Sequence, residues 1–192
     1  MPSLPRFTRR RVIAGAAVIL LLAGLALAPF AHADDAGLLP PLIPGYGVVT
    51  PVENAGERPD PTMDYKVVLN ATEGGDEDKP VYFLDKAAKV ANLLAQSGVP
   101  AEHRHVVVIM QHGATWAVLN EAGLKAHKRK RNPNTELIAK LKAAGVSVRV
   151  CGQALAGAKI QRSEVLPDVQ VDLSALTTLS ALQLKGYSLL VD

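Results

Sequence analysis

From Tyr65 onward two hydrophobic periods alternate along the chain, and each predicts an element. Lys66-Val67-Val68-Leu69-Asn70 is a short β-rich run that ends in a polar, glycine-bearing loop, residues 72–78. Leu84, Ala87, Ala88, Ala91, Leu94 and Ala95 then share one face of a helix that starts near Pro80 and stops at Gly98 and Pro100. Val106-Val107-Val108-Ile109-Met110 is apolar throughout, the pattern of a strand covered on both faces, and Gln111-His112-Gly113 ends it. Ala114 to about Glu121 predicts a further helical stretch, followed by a basic polar connection from Gly123 to Asn132. Asn132-Pro133 offers a cap and a first-turn proline for a helix through Leu137, Ile138, Leu141 and Ala144, closed by Gly145. Val146 to Cys151 reads as a third strand and Gln153 to Ala158 as a short helix. Val169-Gln170-Val171 is a brief strand, Ser174 caps a last helix ending at Gly186, and Tyr187 to Val191 closes the pattern as a strand.

Strands that alternate with helices imply a mainly parallel sheet of about five strands, with helices on both faces and right-handed crossovers. The predicted architecture is a single three-layer α/β domain over residues 63–192. Upstream, residues 34–62 read as a linker. They hold Pro40, Pro41, Pro44, Pro51, Pro59 and Pro61 among glycines and keep no sustained period. Leu38, Leu39, Leu42, Ile43, Val48 and Val49 interrupt that linker, and they leave two readings, a plain tether or a segment laid along a neighbouring surface.

Residues 1–33 carry the marks of an export signal. Arg6, Arg9, Arg10 and Arg11 precede an apolar run from Ala14 to Phe30, and Ala31-His32-Ala33 supplies a small-x-small cleavage site. Thr8-Arg9-Arg10-Arg11-Val12-Ile13 resembles a twin-arginine signal, with generic secretion as the other reading. Cleavage after Ala33 predicts a periplasmic or secreted bacterial protein with no stable membrane insertion. The leader also changes the charge argument. Of 21 Lys+Arg against 18 Asp+Glu, four arginines lie in the leader, so the rest of the chain is close to neutral. Overall basicity therefore gives no ground for a nucleic-acid partner.

The candidate chemistry collects where strands end. In such folds ligands bind at the carboxyl edge of the sheet, where the strand order reverses. The first strand delivers Asn70, Thr72 and Glu73 there, the second Gln111, His112 and Gly113, and the third Cys151, Gly152 and Gln153. A flavodoxin-like order, with the second and third strands flanking the first, would gather these groups into one crevice. Cys151 is the chain's one cysteine. At the end of a strand and the start of a helix it is a candidate nucleophile, with His112 as proton or thiolate partner. Gly152 would leave the backbone open to a bound group. The rival reading is a small buried hydrophobe. His103-Arg104-His105 could ligate a metal but lacks a nearby carboxylate pair and reads as a polar strand entry, and the acidic loop holding Glu73, Asp76, Glu77 and Asp78 fits no calcium loop, so no metal is predicted. Lys125, Lys128, Arg129, Lys130 and Arg131 form a basic run read as a solvated loop or a patch for an acidic partner. No P-loop, dinucleotide fingerprint or serine elbow is present, and no cofactor is predicted.

Several segments together resemble one family. Asn132-Pro133-Asn134, Leu137-Ile138, Ala144-Gly145-Val146, Val150-Cys151-Gly152-Gln153-Ala154-Leu155, Ser174-Ala175-Leu176-Thr177 and Gln183-Leu184-Lys185-Gly186-Tyr187 are similar to the DsrE/DsrF-like proteins, in their uncharacterised single-domain branch. His112-Gly113-Ala114 fits the same branch. The resemblance implies a flavodoxin-like fold, a homo-oligomer, and a cysteine that carries sulfane sulfur as a persulfide between a donor and an acceptor, protein or small sulfur compound. Carried across by position, that cysteine is Cys151, in a sulfurtransferase-type carrier or in thiol redox chemistry; whether it turns over as an enzyme is left open. The alternative is a non-catalytic binding or assembly module of the same fold with a structural cysteine.

Overall fold

The computed structural model describes residues 39–75 and 78–191. The predicted export signal and cleavage site, residues 34–38 and the acidic pair Asp76 and Glu77 lie outside the described residues. Within them five parallel strands form one sheet: β1 (Tyr65–Ala71), β2 (Arg104–Met110), β3 (Ser147–Cys151), β4 (Gln170–Asp172) and β5 (Ser188–Leu190). Their order is β4-β3-β2-β1-β5. β1 therefore lies between β2 and β5, and the expectation that the second and third strands flank the first is corrected: β2 separates β1 from β3. The chain steps in one direction from β1 to β4 and then returns past β1 to β5.

That path distributes the helices. α1 (Tyr82–Gln96), α3 (Thr135–Ala143) and, through Leu155, α4 (Gly152–Gly157) pack into one large apolar cluster with Leu69, Ala71, Val106, Val108, Met110, Val148 and Val150. The returning crossover carries α5 (Ala175–Leu184) to the other face, as right-handed connections demand when the direction reverses. There the cluster is small: Val68, Val107, Ile109 and Cys151 from the sheet, met by Ala175 and Leu182. β2 is buried on both faces from Val106 to Met110, as its unbroken apolar run requires.

The predicted faces and stops hold in detail. α1 buries Leu84, Ala87, Ala88, Ala91 and Leu94. It ends where Gly98 takes a left-handed φ of 82° and Val99 N–H returns to Leu94 O at 3.0 Å. Two elements differ. Residues His112–Val118 wind as 3₁₀ turns, and the stretch expected to be a basic connection opens with α2 (Glu121–Ala126), capped by Asn120, whose side chain accepts from Gly123 N–H. α3 is preceded by Asn134 at the cap position, not Asn132. Asn132 is engaged elsewhere: its Nδ2 donates to Ala117 O at 2.7 Å and Leu119 O at 2.9 Å, which fixes the loop after β2.

The proline-rich segment packs on α1. Asn92 is 1% exposed, accepts from Ile43 N–H at 2.8 Å and donates to Tyr46 O at 2.9 Å and Gly47 O at 3.1 Å. Ile43 is buried beneath it. Among the described residues no helix is long and apolar enough to cross a membrane.

Candidate functional site

Cys151 ends β3 with an extended backbone, and Gly152 begins α4 immediately after it. Side chains alternate along a strand, so Ser147, Arg149 and Cys151 face α5 while Val148 and Val150 face the large cluster. Cys151 is 5% exposed. Its position at the strand end is the expected one; an open thiol is not what the fold presents. Gly152 is not open either. A Cβ there would stand 2.7 Å from Asp172 O and 3.2 Å from Leu173 O, so the glycine admits the chain's own turn between β4 and α5, not a ligand. Gln153 is exposed and reaches Leu173 O at 3.5 Å.

The neighbours of the thiol are polar on both sides. Cys151 pairs in register with Asp172 of β4. Asp172 accepts from Gln170 at 2.6 Å and Thr178 at 3.1 Å and lies 3.6 Å from the Arg149 guanidinium. On the other side, Met110 pairs with Val150, which brings Gln111 alongside Cys151. Gln111 is 8% exposed and donates to Asn70 Oδ1 at 2.7 Å. His112 lies one residue further on, in the turn, with a left-handed φ of 49°. It shares the sheet edge with Cys151 because β2 and β3 are parallel, but its ring is exposed and has no hydrogen-bond partner among the described residues.

The single predicted crevice is thus divided. Asn70 and Thr72 line a cavity of about 910 Å³ at the carboxyl ends of β1 and β5, walled by Tyr46, Lys79, Tyr82 and Phe83. Gly113 lines a second cavity, of about 150 Å³, with Gly74, Gly75, Trp116, Arg129 and Arg131. Cys151 and His112 line neither. The cause is the strand order. With β2 interposed, groups from β1 and β3 start roughly 9–10 Å apart, and the Cys151 side chain leaves on the α5 face.

Around the smaller cavity the basic loop is organised, not merely solvated. The Arg129 guanidinium carbon sits 4.2 Å from the Trp116 ring centre, and the His127 ring meets the same indole edge-on at 5.4 Å. His127 also pairs with Glu164 at 3.2 Å. The Gln161 backbone amide first, and His127 second, hold the Glu164 carboxyl below its ordinary range. His103 and His105 both turn to Asp64, and no group of three ligating side chains suited to a metal occurs among the described residues.

The sequence reading missed Asp172, although the strand-end argument that selected Cys151 applies equally to the end of Val169-Gln170-Val171-Asp172. It also missed the stacking of Arg129 on Trp116, for which the chain gives no local signal.

The first of two solved neighbours supports this architecture. A protein of unknown function from Methanobacterium thermoautotrophicum, MTH1491, superposes with a TM-score of 0.51 at 19% identity, covering 66% of this chain and 98% of that one. The ychN protein of E. coli gives a TM-score of 0.45 at 16% identity, with 66% and 99% covered. No curated protein matches. The family model described as DsrE/DsrF-like matches residues 63–191, and the chain belongs to the DsrE/DsrF-like family.

Proposed function

We propose that the chain handles sulfane sulfur, with Cys151 as a persulfide carrier whose access is governed by α5. In the loading step the Cys151 thiolate attacks the outer sulfur of a donor persulfide, R–S–SH. The donor S–S bond breaks, the donor leaves as a thiolate, and Cys151 holds the new S–SH group. An acceptor thiolate then takes that outer sulfur and releases Cys151 as thiolate, so no external oxidant or reductant enters.

The observation that carries the reading is where the thiol is buried. Among the described residues it lies under α5, which buries Ala175 and Leu182 and packs the half-buried Leu179 beside them, with Ala154 of α4 at the margin. Displacing α5 exposes Cys151 without dismantling the large cluster. Self-association belongs to the same reading: Leu176 and Leu184, 74% and 90% exposed, give α5 an apolar outer side that a second copy would cover. The export signal supports a periplasmic or secreted setting, and a purified protein beginning at Asp34 would establish it.

Incubation with a sulfane-sulfur donor should add about 32 Da to the intact mass, and Cys151→Ser should abolish the addition. Wild type without an adduct sinks the carrier reading. The 5% exposure of Cys151 also favours a second reading, a binding or assembly module with a structural cysteine. In that protein a thiol reagent reacts with Cys151 only on global unfolding.

A further inference from the structure

The 150 Å³ cavity has features that persulfide chemistry on Cys151 does not use. Three loops meet there: the Gly74-Gly75 turn after β1, the His112-Gly113 turn after β2, and the basic loop that ends at Asn132. The first two touch backbone to backbone, since a Cβ on Gly113 would stand 2.9 Å from Gly74 N and 3.2 Å from Thr72 O. The asparagines of the third are already committed. Asn132 Oδ1 accepts from Asn134 N–H at 3.0 Å, and Asn134 Oδ1 accepts from Val81 N–H at 2.7 Å, so they build the wall.

What the wall leaves over is donors. Arg129 lines the cavity and has no carboxylate partner among the described residues; its guanidinium is held by the Trp116 face at 4.2 Å. The amide N–H groups of Gly74 and Gly75 likewise have no hydrogen-bond partner among the described residues. Arg131 also borders the cavity, paired with Asp78. Lys125, Lys128 and Lys130 are exposed and belong to the same basic segment as Arg129.

We propose that this cavity binds a free tetrahedral oxyanion of the phosphate or sulfate class, with Arg129 as its cation. A guanidinium fork matches two oxygens of such an anion, and stacking on an indole fixes the fork in place at low entropic cost. The size argues for the free anion. At about 150 Å³ the cavity is well below the ~300–1,000 Å³ of sites that take drug-sized ligands, which favours a free anion over a nucleotide. The proposal does not depend on Cys151, so either can fail without the other.

Trp116 is the chain's only tryptophan, and Arg129 lies on its ring, so the reporter is built in. Sodium sulfate, phosphate and thiosulfate are titrated into the protein at an ionic strength held constant with sodium chloride. A saturable change in Trp116 emission is expected with at least one of them. Arg129→Gln should weaken it at least tenfold, with Arg129→Lys in between. A response no different from chloride, or wild-type affinity in Arg129→Gln, would overturn the proposal. If Arg129→Gln melts early, equilibrium dialysis of labelled sulfate and phosphate against wild type decides, and no retained label overturns it. Adenosine monophosphate binding as tightly as free phosphate would overturn the assignment to a free anion. Loss of binding in Cys151→Ser would move the anion to the thiol and overturn the assignment to this cavity.

Discussion

If α5 is a cover over Cys151, truncating its most buried large side chain, Leu182, should accelerate thiol chemistry through local opening while the rest of the domain stays folded. Leu182 is 5% exposed and shares its cluster with Cys151, Val68, Val107 and Ile109. Leu→Ala in a core costs about 2–5 kcal/mol. A helix with a solvated outer side can settle toward the gap, so the low part of that range, about 2–3 kcal/mol, applies here. At about 1.4 kcal/mol per factor of ten, Leu182→Ala should raise the open fraction, and the rate of Cys151 modification by a thiol reagent, about 30- to 150-fold. Leu184→Ala, compared at a protein concentration low enough to keep copies apart, is the control, because Leu184 is 90% exposed within one chain; its rate should stay within about twofold of wild type. The urea dependence of the rate separates local from global opening. Lifting one helix exposes little surface, so its slope should be a small fraction of the ~1–3 kcal/mol/M expected for the whole domain. A Leu182→Ala rate that matches Leu184→Ala, or a wild-type slope equal to the global one, refutes the cover. If α5 also carries the contact between copies, the wild-type rate should fall as protein concentration rises.

Three further outcomes follow from the packing. Asn92→Ala leaves the Ile43 amide and the Tyr46 and Gly47 carbonyls without their partner, at a cost of about 2–4 kcal/mol; limited proteolysis should then cut between residues 39 and 62 well before the domain, and an unchanged pattern would contradict the clamp. Gly152→Ala forces a Cβ against two backbone carbonyls, the nearer at 2.7 Å, so the turn before α5 must shift; a loss of about 1–3 kcal/mol is expected by thermal melting, and a wild-type midpoint would show the turn to be loose. The Glu164 carboxyl is held below its ordinary range, so the charged form is favoured in the folded state. Its contribution is complete above the ordinary glutamate pKa of about 4.3 and is lost as pH falls through the lowered folded value. Urea midpoints of wild type and Glu164→Gln should therefore converge on acidification, and a gap independent of pH would remove the linkage.

The parts of this protein legible in the sequence are those set by periodicity within one element. Leu84, Ala87, Ala88, Ala91 and Leu94 declare the buried face of α1, and Val106 to Met110 declare a strand covered twice. Strand order was not legible, because no local pattern says whether β1 takes β3 or β5 as its neighbour. That one unknown decided the site: it moved Asn70 and Thr72 away from Cys151, kept Gln111 beside the thiol and added Asp172 on its other side. The basic loop failed for a related reason. A run of Lys and Arg looks the same whether solvated or folded back, and only the fold brings Trp116 under Arg129.

The strand order also explains why the cysteine is covered rather than presented. Successive crossovers from β1 to β4 carry their helices to one face, and the return to β5 carries α5 to the other, so the connections leaving β3 and β4 part to opposite sides. That divergence is where α/β proteins open a crevice. Here the crevice is filled by the chain itself, because Gly152 lets the carbonyls of Asp172 and Leu173 close in. In the carrier reading a reactant would meet Cys151 from the α5 side, where Leu173 before the helix and Leu176 in its first turn are 75% and 74% exposed. An apolar rim suits a partner protein better than a small hydrophilic sulfur compound. Polar substitution of the rim separates the two donors: Leu173→Ser with Leu176→Ser should slow loading from a persulfidated protein while leaving loading from a small polysulfide unchanged or faster. Equal slowing of both would mean that the rim supports α5 and does not receive a partner.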